Sequence, residues 1–233
     1  MIIQKPQALI YASELGEAMT TRLERYARVC YKSEDKMAPG SKGGDFLKDK
    51  IAIGHESIIE HEKATVLLII DRGISHEIVR HRIGAYSQES TRYCRYDRDK
   101  FGNEISVIEP FFWKNNEAAY KIWRKACQEA ETAYMELLAM GCSAQEARSV
   151  LPNSLKTEIV VTYDMRSWRH FFQLRCDRAA HPQMRQISIP LLLYFKEKLP
   201  YLFGDISYDN RFSPADYAQV AETDILFSPL PTN

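Results

Sequence analysis

The sequence predicts an α+β fold, helix-rich and built around a small mixed or antiparallel sheet. Two short runs, 64–70 and 157–163, are apolar and partly β-branched, as buried strands are. Longer segments around them carry apolar residues at the spacing of a helix. No repeat, low-complexity tract or linker rich in Pro and Gly divides the 233 residues. We therefore expect a single domain over 1–233, with a mostly irregular tail over 201–233.

The first helix is predicted near the N-terminus, with Ser13 placed to cap it. Its apolar residues recur at helical spacing and are Leu15, Met19, Leu23, Ala27 and Cys30. The Gly-rich stretch 37–45 predicts a loop, and a helix-like segment, 74–82, directly follows the first strand.

A long helix is predicted over 117–140, and Gly141 suits the position just after a helix. Its predicted apolar face consists of Ile122, Ala126, Ala133, Leu137 and Leu138. Such a stripe indicates a helix that packs one side against a core.

The remaining helices are predicted from their end signals and their spacing. The run 143–146 fits a capping box that begins a helix, and Pro152 ends it. Helices are also predicted over 167–174 and 184–199, the second with Pro190 as a candidate kink.

Composition limits the classes of function. The 31 Lys and Arg balance the 31 Asp and Glu, which argues against a general binder of polyanions. The five cysteines are odd in number and form no CxxC motif, so we expect a reducing, cytoplasmic compartment. The longest apolar run is far too short to cross a bilayer, and we expect no membrane partner.

Arginine is concentrated in two lysine-free stretches. The first arginine window, 80–98, holds five arginines against two acids, a net charge of +3. The second arginine window, 166–185, holds five against one, a net charge of +4. Because a guanidinium donates two parallel hydrogen bonds to phosphate or carboxylate oxygens, both windows are candidate anion sites.

The residues alone leave several alternatives open. From spacing, an anion-binding loop and a solvated basic turn are about equally good interpretations of 80–93. Ser90 is a candidate nucleophile, but no base lies near it in sequence, which favours a binding hydroxyl. The six histidines lack the spacing of HExxH, so we expect no metal. The absence of GxGxxG and of a P-loop excludes those two modes of nucleotide binding.

The first window also resembles a known signature. Arg80-His81-Arg82, seven further residues, Ser90 and then Arg92-Tyr93 are similar to the motif of the flavin-dependent thymidylate synthases. Further stretches of 54–186 resemble that family in the same order: Gly54-His55-Glu56-Ser57, Glu60-His61, Arg148 with Val150-Leu151-Pro152, Arg166-Ser167, and Leu174-Arg175.

The resemblance implies a family-specific flavin-binding fold without a Rossmann turn, and a specific reaction. It implies that FAD serves as cofactor while dUMP is converted to dTMP, with methylenetetrahydrofolate as carbon donor and NADPH as reductant. It also implies a homotetramer whose active sites are shared between subunits.

The resemblance assigns residues to both ligands. FAD would be bound by His55, Ser57, Arg80, His81, Arg82, Gln88, Arg166 and His170. The substrate dUMP would be bound by Glu77, Arg80, Gln88, Glu89, Ser90, Thr91, Arg92, Arg148 and Arg175. Arg175 is the predicted catalytic residue, because a guanidinium that stays protonated can stabilise an anion developing on the pyrimidine.

Some positions depart from the family pattern, namely Ala85, Asp164 and His170. They keep open the hypothesis of a homologue that binds flavin or nucleotide without methyltransferase activity. A module that binds nucleic acid through the two windows is the other alternative, although zero net charge weakens it and we expect no nucleic-acid partner.

Overall fold

The computed structural model describes residues 1–37 and 44–226 and confirms the α+β prediction. A five-stranded sheet has the order β4-β6-β3-β2-β7, and β1 pairs in parallel with β5 in a separate two-stranded sheet. The strands are β1 Ile2–Gln4, β2 Gln7–Tyr11, β3 Lys63–Asp71, β4 Ala85–Gln88, β5 Ser106–Ile108, β6 Lys156–Asp164 and β7 Gln219–Thr223.

Eight α-helices lie within the described residues. They are α1 Glu17–Tyr31, α2 Gly44–Ala52, α3 Arg72–Ile78, α4 Glu117–Ala139, α5 Ala144–Ala147, α6 Met165–Arg175, α7 Pro182–Lys198 and α8 Pro200–Phe203. No helix in this part of the chain is long and apolar enough to cross a membrane. The loop predicted over 37–45 lies mostly outside the described residues, and residues 44 and 45 already belong to α2.

Both predicted strands are confirmed, and each is followed directly by a capped helix. Strands β3 and β6 extend one residue beyond the predicted runs at each end. The last residue of β3, Asp71, accepts a hydrogen bond from Ile74 N at 2.8 Å, and the last residue of β6, Asp164, accepts one from Ser167 N at 2.7 Å. An aspartate at the N-cap satisfies a helix donor that would otherwise lack a partner, which fixes where α3 and α6 begin. This capping role accounts for the carboxylate at position 164.

The described residues group into two compact units. The first unit comprises 1–7, 68–80 and 86–160, and the second comprises 8–67, 81–85 and 161–226. The expectation of a single domain stays a prediction, and each unit is described by itself.

The core of the first unit is built on α4. Of the predicted apolar face, Leu138 is confirmed as buried, but Ile122 is 72% exposed. The other buried side chains, Trp123, Cys127 and Tyr134, each lie one position after a predicted residue. The rings of Trp123 and Tyr134 have a larger apolar area than the predicted Ile122 and Ala133, so the helix buries the aromatic side chains instead. Trp123 Nε1 also donates to Ser154 Oγ at 2.9 Å, so its polar atom is satisfied inside the core.

The end signals around α4 and α5 are confirmed. Gly141 follows α4 with φ +93°, a backbone conformation that favours glycine. The capping box of Ser143 and Glu146 is present, although the helix that it begins is the single turn α5. A 3₁₀ turn, Arg148–Val150, continues from α5 before Pro152.

The second unit has an aromatic core formed by helices α6, α7 and α8. Trp168 and Phe172 stack with ring centroids 5.5 Å apart, and Phe172 meets Phe195 at 5.1 Å. All three side chains are fully buried, and Trp168 Nε1 donates to Ala64 O at 3.1 Å. Aromatic contacts of this kind stabilise a core beyond the area that they bury.

Pro190 lies inside α7, as predicted, and its missing N–H has a structural consequence. Proline cannot donate to the carbonyl four residues earlier, which belongs to Gln186. That carbonyl instead accepts from Ala218 N at 2.9 Å, so the C-terminal segment before β7 completes the helix's hydrogen bonding. Strand β7 shows that the tail over 201–226 is less irregular than predicted.

Two helix boundaries differ from the prediction. Ser13 does not cap α1: the chain turns after β2, Gly16 occupies the N-cap, and the helix begins at Glu17. Helix α3 begins at Arg72 and ends at Ile78, so residues 80–82 lie outside it. The chain turns there because Arg80 N donates to Glu77 O at 3.3 Å instead of continuing the helical pattern.

Candidate active site

The predicted site residues fall in both units. The first unit holds Glu77, Arg80, Gln88, Glu89, Ser90, Thr91, Arg92 and Arg148. The second unit holds His55, Ser57, His81, Arg82, Arg166, His170 and Arg175. The two groups are described in turn.

In the first unit, the segment 88–92 leaves β4 with Gln88 bound into the protein. Gln88 Nε2 donates to Ser75 Oγ at 2.8 Å and to Thr157 Oγ1 at 3.2 Å. Both residues with these hydroxyls are fully buried. These two bonds fix the side-chain amide of Gln88 at the base of the segment.

Glu89 points its carboxylate into the unit. Tyr96 Oη donates to Glu89 Oε1 at 2.9 Å, and Lys156 Nζ lies 3.0 Å from Glu89 Oε2 and 2.7 Å from Glu158 Oε1. Burial opposes the charge of Lys156, but the two carboxylates outweigh it and raise the pKa of this lysine. Burial and the charge of Glu89 raise the pKa of Tyr96, so the phenol stays protonated as a donor.

The residues after Glu89 form a tight turn. Ser90 O accepts from Tyr93 N at 3.2 Å and from Cys94 N at 2.9 Å, while Ser90 Oγ accepts from Arg92 N at 3.3 Å. The buried Thr91 accepts a long hydrogen bond, 3.4 Å, from Arg148 Nη1. The turn therefore brings Arg148, which is far away in sequence, to the segment.

The remaining arginines of this unit that concern the site differ in their contacts. Arg92 is exposed and its guanidinium lies 5.5 Å from the centroid of the Tyr93 ring. Arg72, which sequence reasoning missed, donates from Nη1 to Glu89 O at 3.4 Å. Its signal was weak because it stands outside both windows, as the first residue of α3. Arg80 is exposed in the turn after α3, and Glu77 is half-buried.

In the second unit, His81 and Arg175 form a hydrogen-bonded pair. Arg175 Nε donates to His81 Nε2 at 2.9 Å. The His81 ring lies 5.1 Å from the ring of Phe171 and 5.8 Å from that of His170, measured between centroids. Burial, the charge of Arg175 and the proximity of His170 lower the pKa of His81 to about 4. His81 is therefore neutral near pH 7, and because Nε2 accepts, its proton lies on Nδ1.

Gly84 lies directly against Tyr163, whose ring is a neighbour of His81. A Cβ at position 84 would collide with the Tyr163 ring and would lie 3.2 Å from Thr162 O. Only glycine therefore lets the chain after Arg82 follow the surface of β6 this closely. Arg82 itself is exposed.

The other residues assigned to the flavin lie on α6 and on the 3₁₀ turn Glu56–His61, which contains Ser57. Arg166 is one turn before His170 on α6 and pairs with Glu60 at 2.6 Å. His55 Nδ1 shares a hydrogen bond with the hydroxyl of Tyr31, and Lys50 Nζ lies 4.1 Å from the Tyr31 ring centroid. Within the residues described, no group of His, Cys, Asp and Glu could hold a metal ion.

Arg169 is a charged residue of the second window whose role the sequence did not reveal. It is 3% exposed and donates from Nη1 and Nη2 to the Asp205 carboxylate, at 2.7 Å each, and from Nε to Glu56 Oε1 at 3.1 Å. Its partners lie more than thirty residues away in sequence, so spacing gave no signal. This guanidinium holds α6 to its neighbours and does not face solvent.

Comparison with known proteins supports a common fold and a family. The fold is shared with the UMP/dUMP methylase PolB from Streptomyces cacaoi, solved with 5-Br dUMP, at a TM-score of 0.72 and 16% identity over 88% of this chain and 96% of that one. A family model described as thymidylate synthase complementing protein matches residues 14–201.

Two relatives similar in sequence point to the same family as the family model. The flavin-dependent thymidylate synthase of Corynebacterium aurimucosum is 33% identical over 86% of this chain and 85% of the relative. That of Geobacter sulfurreducens is 35% identical over 77% of this chain and 78% of the relative. The protein is thus an enzyme of the methyltransferase class. It belongs to the family of flavin-dependent thymidylate synthases.

Proposed function

We propose that this enzyme methylates dUMP to dTMP, with FAD as its cofactor, methylenetetrahydrofolate as carbon donor and NADPH as reductant. The observation that carries the proposal is the segment 88–92. It is anchored at Gln88, Glu89 and Thr91 and it leaves Arg92 exposed beside a turn that Arg148 contacts. Two guanidinium groups next to a turn with serine and backbone donors suit a nucleotide phosphate.

Ser90 serves in this proposal as a binding hydroxyl. Its Oγ accepts from Arg92 N, and in the described chain no histidine or carboxylate hydrogen-bonds to it. A serine nucleophile needs such a base within hydrogen-bond reach. The hydroxyl proton can therefore be donated to a phosphate or base oxygen of dUMP.

Arg175 is the proposed catalytic residue. Because Nε donates to His81, which is a neutral imidazole, this contact fixes the plane of the guanidinium. A fixed positive charge beside the uracil stabilises the anion that forms when N3–H ionises, which directs electron density to C5. A guanidinium does not act as the base itself, since it remains protonated.

The residues assigned to FAD fit an anionic cofactor in part. Arg80 and Arg82 are exposed and make no ion pair within the described chain, so they can bind a pyrophosphate. Ser57 and His170 are exposed polar side chains, and the neutral His81 carries its proton on Nδ1. Arg166 fits less well, because Glu60 and Glu56 already offset its charge. Bound FAD supplies the two-electron hydride chemistry that amino-acid side chains lack.

The balance of the reaction requires a one-carbon donor and a two-electron reductant. Methylenetetrahydrofolate gives its methylene group to C5 of dUMP, and the C5 proton and one further proton complete the two N–H groups of the tetrahydrofolate that leaves. A hydride, which is two electrons and one proton, completes the methyl group. NADPH is the proposed source of those electrons, and methylenetetrahydrofolate is the proposed source of the carbon.

The proposed assembly is a cytoplasmic homotetramer of one-domain subunits with shared active sites. Ile83 and Tyr93 are 75% and 76% exposed beside the exposed arginines of the first window, which suits a site that a second subunit completes. All five cysteines are free, as a reducing compartment requires. Light scattering coupled to gel filtration would measure the number of subunits.

The decisive experiment mixes the reduced, FAD-loaded enzyme with dUMP and methylenetetrahydrofolate without oxygen. We expect dTMP to form in one turnover and the flavin absorbance to return only when both substrates are present. Omission of dUMP is the control. A yellow protein that binds dUMP but forms no dTMP would instead identify a homologue without methyltransferase activity.

A further inference from the structure

The segment proposed to bind the nucleotide phosphate contains an acid, Glu89, in the middle of a cationic window. A carboxylate at the phosphate would repel it, by an amount that grows as water is excluded. The structure removes this conflict, because the Glu89 side chain is only 12% exposed and is directed to Lys156 and Tyr96.

The side chains along the segment alternate in direction. Glu89 and Thr91 point inward, where Thr91 is 4% exposed, while Arg92 is exposed and Ser90 is half-buried. In extended chain, as at Glu89 and Ser90 directly after β4, neighbouring side chains point to opposite sides. The inward contacts of Glu89 and Thr91 therefore determine how Ser90 and Arg92 are presented.

The strongest inward contacts are those of Glu89. Lys156 Nζ at 3.0 Å and Tyr96 Oη at 2.9 Å each bind one carboxylate oxygen, and Glu89 N donates to Glu158 O of β6 at 2.8 Å. Lys156 is itself 16% exposed and is held a second time by Glu158 at 2.7 Å. By contrast, the Thr91 contact is a single hydrogen bond of 3.4 Å.

We propose that Lys156 and Tyr96 are positioning residues for dUMP, acting through the Glu89 carboxylate to hold the 89–92 turn with Ser90 and Arg92 outward. This inference rests on the proposed function of the segment. Loss of the lysine would leave a largely buried carboxylate without its counter-charge, and Glu89 would leave the interior to reach water. The turn would then lose its geometry, and a negative charge would approach the phosphate.

The test compares dUMP dissociation constants, measured by calorimetry, in the full-length FAD-loaded enzyme. We expect Lys156→Met to weaken dUMP binding about 10- to 30-fold while flavin content is unchanged. The Michaelis constant for dUMP should rise in the same proportion, and kcat at saturating dUMP should stay within about twofold. Tyr96→Phe removes one hydrogen bond from an uncharged donor to the carboxylate but leaves Lys156 in place, so it should weaken binding about threefold.

Three variants separate positioning from general destabilisation. Lys156→Arg, which keeps the charge, should recover most of the dUMP affinity. The double variant Glu89→Gln with Lys156→Met, which removes the unpaired charge, should bind dUMP better than Lys156→Met alone. Trp123→Phe loses a buried hydrogen bond in the same unit's core and should lower Tm without changing dUMP affinity.

The outcomes are decisive in each direction. A folded Lys156→Met enzyme that binds dUMP as tightly as the wild type would overturn the inference. So would a Trp123→Phe enzyme whose dUMP affinity falls as much as that of Lys156→Met. A double variant that binds dUMP no better than Lys156→Met would also overturn it. If Lys156→Met does not fold, unchanged affinity in Tyr96→Phe overturns it. A wild-type enzyme that does not bind dUMP would instead refute the proposed function.

Discussion

The two arginine windows have nearly the same composition, but the structure uses them in opposite ways. In the first window, four of the five arginines make no ion pair within the described chain: Arg80, Arg82, Arg92 and Arg98. In the second window, three of the five pair with carboxylates: Arg166 with Glu60, Arg169 with Asp205, and Arg185 with Asp209. The two windows have similar net charges in the sequence, but the first offers a ligand more unpaired arginines than the second.

The difference shows where neutralising acids come from. Glu60, Asp205 and Asp209 all lie outside the second window, and folding brings them to it. A count of charges within a window cannot include partners that are distant in sequence. The pairing also neutralises most of the cationic groups of the second window, which weakens the alternative of a nucleic-acid-binding module that uses both windows.

Arg175 of the second window gives the largest expected effect. Its Nε donates to a neutral imidazole. The proposed mechanism needs the planar guanidinium of Arg175 in a fixed position beside the uracil. We expect Arg175→Lys to lower kcat about 100- to 1000-fold, as removal of one preorganised donor does. Flavin content, followed by absorbance, should be retained. An unchanged kcat would refute the role assigned to Arg175.

Arg169 tests the structural role of the second window. Its guanidinium is buried and binds Asp205 and Glu56, so Arg169→Met should lower the free energy of unfolding by about 2–3 kcal/mol. The estimate is at the low end for a buried charge because the Asp205 side chain is 58% exposed and retains water. Urea unfolding would measure the change.

The control for Arg169 lies in the same window. Arg178 is exposed and makes no ion pair within the described residues, so Arg178→Met should change the free energy of unfolding by less than about 0.5 kcal/mol. If Arg169→Met and Arg178→Met lowered the free energy of unfolding equally, the structural role assigned to Arg169 would be refuted.

Arg92 tests the ligand-binding role of the first window. We expect Arg92→Met to weaken dUMP binding about 10- to 100-fold, the loss of a charged and bidentate contact. The free energy of unfolding should change by less than about 0.5 kcal/mol, because Arg92 is exposed. Calorimetry with dUMP and urea unfolding measure both quantities. Arg98→Met, an exposed arginine after the turn, should leave dUMP affinity unchanged.

Local signals in the sequence predicted much of the fold. The two longest strands, α4, α6, α7, the capping box and Gly141 were predicted, because apolar runs and end residues act over a few neighbours. Strands β2, β4 and β7 were not predicted. They have four or five residues each, and β4 and β7 are partly polar, so their pairing in the sheet decides their conformation.

The sequence names candidate site residues, but it does not predict the contacts that these residues make. The motif indicated Arg80, His81, Ser90 and Arg92, but no spacing rule brings Lys156 to Glu89 or Arg175 to His81. Those contacts join residues 67 and 94 positions apart, and only the folded chain forms them. The inward direction of Glu89 was equally hidden, because its charged partner Lys156 is 67 positions away.

The last prediction concerns protons, and it tests whether Arg175 lies beside a neutral imidazole. The pKa of His81 is about 4 in the folded protein, against an ordinary value of 6.5, so between these pH values the unfolded chain binds more protons than the folded one. Stability should therefore fall as pH decreases from about 6.5 to about 4, and His81 should contribute no slope above that range. In His81→Gln, whose side chain does not titrate, the decrease should be shallower by this contribution. Urea unfolding of both proteins at several pH values measures the difference. Identical slopes would mean that His81 titrates normally, which would contradict the burial and the Arg175 charge that define this part of the second window.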